Sequence, residues 1–298
     1  MSTQLTIATS ISPPISPPVF KGRLMAVHAH PDDESSKGAA TMAKYVRAGH
    51  QVLVISCTGG ERGDILNPGL KDSGITNLLE VRKSEMAQAQ EILGVDHHWL
   101  GFEDSGFPQG DPLPPLPAGC FADIPVEIPA ALLAEKILEF RPHVITTYDE
   151  LGGYPHPDHI RTHEVTMAAV ALAGSGGWQV QKIYYNQQHT QARLEALSAA
   201  MLERGLPNPY DSWLKTWQDR RLVNITTRVE CSAFFEIRAK ALLAHATQVD
   251  PSGQWFAVPI SLQREVWPTE EFELAFSAVG EIDVSESDLF AGVVDDDE

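Results

Sequence analysis

Twice in this chain a short apolar run breaks off into a turn rich in His and Asp, and each time a helix-forming run follows. The first unit is Leu24 to Val27, then His28-Ala29-His30-Pro31-Asp32-Asp33-Glu34, then Gly38 to Arg47. The second is Val144 to Thr147, then Tyr148-Asp149-Glu150-Leu151-Gly152-Gly153-Tyr154-Pro155-His156-Pro157-Asp158-His159, then Ile160 to Leu172. A strand that feeds a turn that feeds a helix places the turn at the carboxyl end of the strand, where open α/β sheets hold their ligands. Imidazole and carboxylate are both good zinc ligands, and a second carboxylate can handle protons. One such turn alone would look much like a polar, Asp-capped turn. Two in equivalent positions can converge on a single ion, and three protein ligands plus water is the usual hydrolytic arrangement.

The rest of the chain alternates in the same way. Gln51 to Cys57 holds Val52-Leu53-Val54-Ile55, a continuous apolar run suited to a strand covered on both faces. Asn77 with Glu80 forms a capping box ahead of a helix that stops at Gly94. Val95 to Leu100 and Lys182 to Asn186 read as further strands, and Ala130 to Phe140 and Ala192 to Arg204 as further helices. Pro at 108, 112, 114, 115, 117, 125 and 129 excludes regular helix or central strand from Phe107 to Pro129. That stretch is expected as a wall beside the site. Later, Ile225 to Val229 reads as an added strand and Phe234 to His245 as a helix. Trp213 and Trp217 are expected to pack on one helical face.

The expected architecture is α/β: a Rossmann-like, mostly parallel sheet flanked by helices, with an irregular C-terminal wrap. A single domain over residues 21–280 follows, because the two turns lie on either side of the Pro-rich stretch. Residues 1–20 lack any basic residue and are expected as a disordered leader rather than a secretory signal. Residues 281–298 are expected as an acidic tail, and their eight acids supply eight of the eighteen net negative charges.

That charge argues against nucleic acid as a partner. No apolar run is long enough to predict a membrane span. Cys57, Cys120 and Cys231 are far apart and form no CxxC pair. This excludes a cysteine zinc cage or disulfide framework and suits a reducing cytosol, so a cytoplasmic location is expected. The stretch Thr58-Gly59-Gly60-Glu61-Arg62-Gly63 lacks the Lys-Ser/Thr ending of a phosphate loop. No Gly-x-Ser-x-Gly turn supports a serine hydrolase.

His30-Pro31-Asp32-Asp33 paired with His156-Pro157-Asp158-His159 resembles the zinc-dependent N-deacetylases related to the GlcNAc-phosphatidylinositol deacetylase. The resemblance runs from Arg23 to about Val293. It includes Thr58 to Gly63, Trp99 to Pro108, His245-Ala246-Thr247-Gln248 and Trp267-Pro268-Thr269-Glu270-Glu271. The later stretches resemble an amidase branch that is longer than other members.

The resemblance implies zinc at His30, Asp33 and His159, a ligand set that Fe²⁺ also accepts. His156 and His163 are rivals for the third place, and His163 is expected to be packed instead. Asp32 is implied as the general base. His156, best protonated, is implied at the oxyanion. Asp158 is expected to orient His156 or to cap the following helix. Tyr154 either swings toward the oxyanion or packs. Proton delivery to the leaving amine falls to Asp32 or His156. Glu61, Arg82 and Asp104 are implied as substrate contacts, the last two at sugar hydroxyls. Lys37 looks like the amidase branch. It is expected to touch the cysteinyl moiety or its adduct, or else to be a solvated Lys eased by Glu34. The implied substrate is a small-molecule thiol conjugate. Its amide would be hydrolysed to a mercapturic acid and glucosaminyl-inositol, in detoxification of electrophiles. The alternative is the N-acetylglucosaminyl-inositol deacetylase of mycothiol biosynthesis. A metal-free binding protein is a poorer reading, because every member of both motifs is present.

Overall fold

The computed structural model describes residues 20–215, 223–280 and 286–295. The expected leader, apart from Phe20, lies outside these residues, as does Trp217. In chain order the elements are β1 (Arg23–His28), α1 (Asp33–Ser36), α2 (Ala39–Ala48), β2 (Gln51–Thr58), α3 (Leu78–Leu93), β3 (Asp96–Phe102) and α4 (Glu127–Phe140). There follow β4 (Val144–Thr147), α5 (Pro157–Ser175), β5 (Lys182–Asn186), α6 (Gln191–Glu203), α7 (Asp211–Lys215), β6 (Thr227–Glu230), α8 (Phe235–Ala244), α9 (Ile260–Val266) and β7 (Thr269–Ser277).

Among the described residues these strands form one sheet in the order β3-β2-β1-β4-β5-β7-β6. Strands β1 to β5 run parallel, and β7 and β6 complete the sheet in antiparallel pairs. Alternation explains the apolar runs. Leu24, Ala26, Val52 and Val54 face Met42, Tyr45, Met86 and Leu93 of α2 and α3. Met25, Val27, Ile55 and Cys57 face Leu133, Ile137, Val165 and Ala169 of α4 and α5. A strand covered on both faces must be apolar on both. Each Val, Leu, Ile or Met among them contributes roughly 1.5–3 kcal/mol on full burial, and a one-residue slip would exchange the two faces.

The strand order reverses between β1 and β4. A crevice opens outside the carboxyl ends of strands at such a point, and both His/Asp turns leave the sheet there. Among the described residues no helix is long and apolar enough to cross a membrane. The three cysteines are free and buried.

Several details depart from expectation. Helix α5 starts at Pro157, whose fixed φ suits a first helical position, so His159 lies inside the helix. Within the stretch read as irregular wrap, β7 is a strand between β5 and β6. Its acids disguise it. Glu270 is buried but accepts from the Ala40 and Thr41 amides at the start of α2, at 3.2 and 2.8 Å. Glu271 accepts from Thr190 Oγ1 at 2.7 Å and Arg228 Nε at 2.9 Å. A carboxylate at a helix N-terminus is stabilised by the unpaired amides there.

The expected tail is also partly structural. Leu289 is buried, and Phe290 stacks on His50 with centroids 4.7 Å apart. Glu286 pairs with the buried Lys182 at 3.0 Å, and Asp288 accepts from Tyr45 Oη at 2.7 Å. The acids here partner buried groups of the body. From Phe107 to Pro125 the chain forms neither helix nor strand, as its prolines require.

Candidate active site

The first turn is held in an unusual backbone shape. Asp32 has φ 96°, a left-handed conformation uncommon outside glycine. Several bonds stabilise it. The Asp32 amide donates to Glu34 Oε2 at 3.0 Å, and its carbonyl accepts from Ser35 and Ser36 at 3.1 and 2.9 Å. Arg82, reaching in from α3, donates to the Pro31 carbonyl at 2.7 Å, the Gly60 carbonyl at 2.6 Å and Asp32 Oδ2 at 3.0 Å. Gly60 makes room for it, since a Cβ there would lie 2.2 Å from Arg82 Nη1. Asp32 therefore projects into the cleft with its carboxylate fixed. Burial pushes its pKa up to about 6, against the opposing pull of Arg82.

The second turn is wound by Asp149, whose Oδ1 accepts from the Leu151 and Gly153 amides, each at 3.0 Å. Gly152 has φ +71°, and a Cβ on it would lie 2.7 Å from the His159 Cβ. This close approach lets the Gly152 carbonyl accept from His159 Nδ1 at 3.0 Å. A carbonyl only accepts, so the His159 proton is on Nδ1 and Nε2 carries a bare lone pair. That Nε2 is buried without a hydrogen-bond partner, 3.4 Å from Asp33 Oδ2.

His30 approaches the same carboxylate from the other side. Its Nε2 donates to Asp158 Oδ2 at 3.2 Å, and its Nδ1 lies 3.4 Å from the same Asp33 Oδ2. The ligand atoms of His30, Asp33 and His159 all lie within 4.8 Å of one another. A bare nitrogen lone pair facing a carboxylate oxygen in a dry site is costly unless a cation lies between them. The donor set thus fits a divalent metal on its own chemistry. His163 takes no part, because its Nδ1 meets the Tyr148 carbonyl at 3.1 Å.

His156 also lines the cleft, stacked against Phe107 with centroids 5.4 Å apart. It is the N-cap of α5, and its Nδ1 accepts from the Asp158 amide at 3.1 Å. The expectation of a protonated His156 is therefore corrected. Burial and the neighbouring His30 and His159 drive its pKa down to about 3, and the accepting Nδ1 leaves a neutral ring with its proton on Nε2. Asp158 is corrected as well. Its carboxylate supports His30 and accepts from the Ser105 amide at 2.9 Å, while toward His156 it offers only its backbone N–H.

The expected substrate contacts divide. Arg82 is buried, and its guanidinium holds the turn and positions Asp32. Asp104 is buried beside His30 Nε2 at 3.5 Å, and accepts from the Arg62 and Gly106 amides, each at 2.8 Å. Glu61 Oε1 accepts from the Asp104 amide at 3.0 Å, and so holds that loop. Lys37 does not pair with Glu34. Its Nζ donates to Asp33 Oδ1 at 2.5 Å and lies over the Tyr148 ring. Tyr154 is 45% exposed and packs edge-on against His159 at 4.6 Å. Arg82, Asp104, Lys37 and Tyr154 border a cleft of about 420 Å³ that also takes in Arg62, Asp64, Gln248 and Trp255.

A model of the family described as PIG-L: GlcNAc-PI de-N-acetylase matches residues 25–170, which contain both turns. Over 287 residues the chain is 59% identical to the mycothiol S-conjugate amidase of Streptomyces coelicolor, covering 92% of this chain and 98% of that protein. The chain belongs to the GlcNAc-PI de-N-acetylase family. A second relative is the 1D-myo-inositol 2-acetamido-2-deoxy-alpha-D-glucopyranoside deacetylase of Streptomyces avermitilis. It is 36% identical over 294 residues, covering 91% of this chain and 97% of that protein. Among solved structures, the conserved protein TT1542 from Thermus thermophilus shares the fold. Its TM-score is 0.56 at 23% identity, over 87% of this chain and 96% of that one.

Two contributors to this family site went unassigned in the sequence. Tyr148 Oη accepts from the Ala29 amide at 2.9 Å and donates to Asp33 Oδ2 at 2.6 Å, joining the two turns through one hydroxyl. Its place directly after β4 was the available signal. His245 of the His-Ala-Thr-Gln stretch meets Glu34 Oε1 at 2.7 Å, tying the first turn to α8. Tyr148→Phe should weaken metal affinity about 10- to 100-fold, as loss of a partner behind a ligand does. Metal titration of the purified variant measures this, and unchanged affinity would remove Tyr148 from the account.

Proposed function

We propose that the chain is a metal-dependent amidase that hydrolyses S-conjugates of mycothiol. The choice of substrate is carried by the step in identity between two relatives, 59% to a conjugate amidase against 36% to a precursor deacetylase. His30, Asp33 and His159 would hold the ion, zinc or ferrous iron. Such an ion supplies Lewis acidity toward water and toward an amide carbonyl.

The chain's own residues do the rest. Asp32, fixed by Arg82, takes a proton from the attacking water as its oxygen bonds to the carbonyl carbon. His156 offers its Nε2 proton as a hydrogen bond to the oxygen that gains charge. The C–N bond then breaks, and Asp32 returns the proton to the leaving nitrogen. His156 is ill suited to that delivery, because a neutral imidazole that loses its remaining proton becomes an anion. The products are an S-substituted N-acetylcysteine, a mercapturic acid, and glucosaminyl-inositol. Asp104 and Glu61 shape the sugar side of the cleft. Tyr154, half-exposed at the rim, completes the wall near the carbonyl. Lys37 bonds Asp33, which serves either substrate, so Lys37→Ser should lower turnover of both.

Side-by-side assays of a mycothiol conjugate and of N-acetylglucosaminyl-inositol test the reading. The conjugate should show at least a roughly tenfold higher kcat/KM, the measure of discrimination between competing substrates. A preference for the N-acetyl compound would overturn it in favour of the deacetylase.

A further inference from the structure

We propose that a cavity adjoining the cleft seats the S-linked substituent of the conjugate and favours an aromatic group with an acidic end. The proposal rests on the conjugate-amidase reading. The cavity has a volume of about 310 Å³ and shares Ser36, Leu242 and Trp255 with the cleft that holds the His/Asp cluster. The sulfur of a cysteinyl acyl group stands only a few bonds from the scissile carbonyl, so what it carries must lie just beyond the cluster. An acetyl group would not reach so far.

The lining suits an aromatic guest. His189 lies edge-on to Trp213 at 4.9 Å and tilted to Trp255 at 5.2 Å, so three rings form a continuous belt. Tyr210 extends it, 6.1 Å from Trp213. Offset and edge-on ring contacts of this kind reward a flat apolar group. The sugar–inositol half would find few partners here. On the cleft side Arg62, Asp64 and Gln248 offer them.

The cavity wall is also cationic. Arg193 and Arg238 both line it, 4% and 8% exposed. Arg193 Nη1 donates to the Gln188 carbonyl at 3.0 Å. Arg238 Nη2 donates to Gln263 at 2.6 Å, but Nη1 has no hydrogen-bond partner. The carboxylate beside it, Glu270 at 3.6 Å, is already engaged by the Ala40 and Thr41 amides. Glu271, the next carboxylate along β7, is engaged by Arg228 and Thr190. An anionic group entering the cavity gains charge-assisted hydrogen bonds that a neutral one does not.

The test is a series of mycothiol conjugates carrying S-methyl, S-benzyl and S-(4-carboxybenzyl) groups, assayed with the full chain. The S-benzyl compound should exceed S-methyl in kcat/KM by roughly tenfold or more, through KM, as filling an apolar pocket does. The carboxylate should add about another tenfold. Trp213→Ala should erase the first step and Arg193→Met the second. Equal kcat/KM for S-methyl and S-benzyl overturns the proposal. So does an Arg193→Met variant that loses equally on S-benzyl and S-(4-carboxybenzyl). If either variant fails to fold, the three substrates on the unaltered protein decide. Turnover of N-acetylglucosaminyl-inositol with no turnover of any conjugate would refute the amidase reading itself, a distinct result.

Discussion

Replacing Asp32 by Asn should leave the fold and the bound metal in place and lower kcat by roughly 10²–10⁴-fold, the usual contribution of a positioned general base. Asn is the informative choice. It tolerates the left-handed backbone at φ 96° better than most residues. Its side-chain oxygen can still accept from Arg82 Nη2, which now donates to Asp32 Oδ2 at 3.0 Å. Only the ability to take a proton is lost. Metal content, thermal melting and kcat on one preparation separate the possibilities. Loss of the ion together with activity would make Asp32 a ligand, and near-normal kcat would move the base elsewhere.

His245→Ala should be strongly destabilising, costing about 3–5 kcal/mol, because it removes one partner of a buried ion pair and strands the other. Both side chains are fully buried. Burial works against the charge on Glu34, but His245 outweighs it and holds the carboxyl down to about 2. Glu34 in turn raises His245 above its ordinary value despite burial. Each partner thus favours the charged form of the other. The Glu34 share of its stability is present above the ordinary carboxyl value of 4.5 and is lost as pH falls toward 2. The His245 share is present below 6.5 and is lost as pH rises through its raised value. Replacing both, as Glu34→Leu with His245→Leu, should cost less than His245→Ala alone, since no charge is stranded. Denaturant midpoints measure both effects, and a loss below about 0.5 kcal/mol for His245→Ala, the size of an ordinary surface change, would contradict the anchoring role.

The sheet was legible because its strands are buried on both faces and its turns carry their chemistry in sequence. Strand β7 was not, because Glu270, Glu271 and Glu273 read as surface until their partners in α2, β6 and the β5–α6 connection are known. The same blindness affected Glu286 and Asp288, whose partners Lys182 and Tyr45 lie far away in the chain. The His/Asp turns themselves were read from their spacing. The roles within them were less so. Whether His156 is charged depends on which atom meets its Nδ1, and whether Arg82 faces substrate or backbone depends on Gly60. Those are distances, and no pattern of residue types encodes them. Lys37 is the clearest case. One helical turn from Asp33, its reach to that carboxylate was available from i,i+4 spacing, yet Glu34 looked the nearer partner by chain position.

The account turns on the bare Nε2 of His159 beside Asp33. The direct measurement is the metal content of the purified chain and of two variants, His159→Ala and His163→Ala, by elemental analysis after equilibration with limiting zinc. The parent and His163→Ala should each retain an equimolar ion, and His159→Ala should retain almost none. Full occupancy in His159→Ala, with loss in His163→Ala, would contradict the ligand set and the reaction built on it.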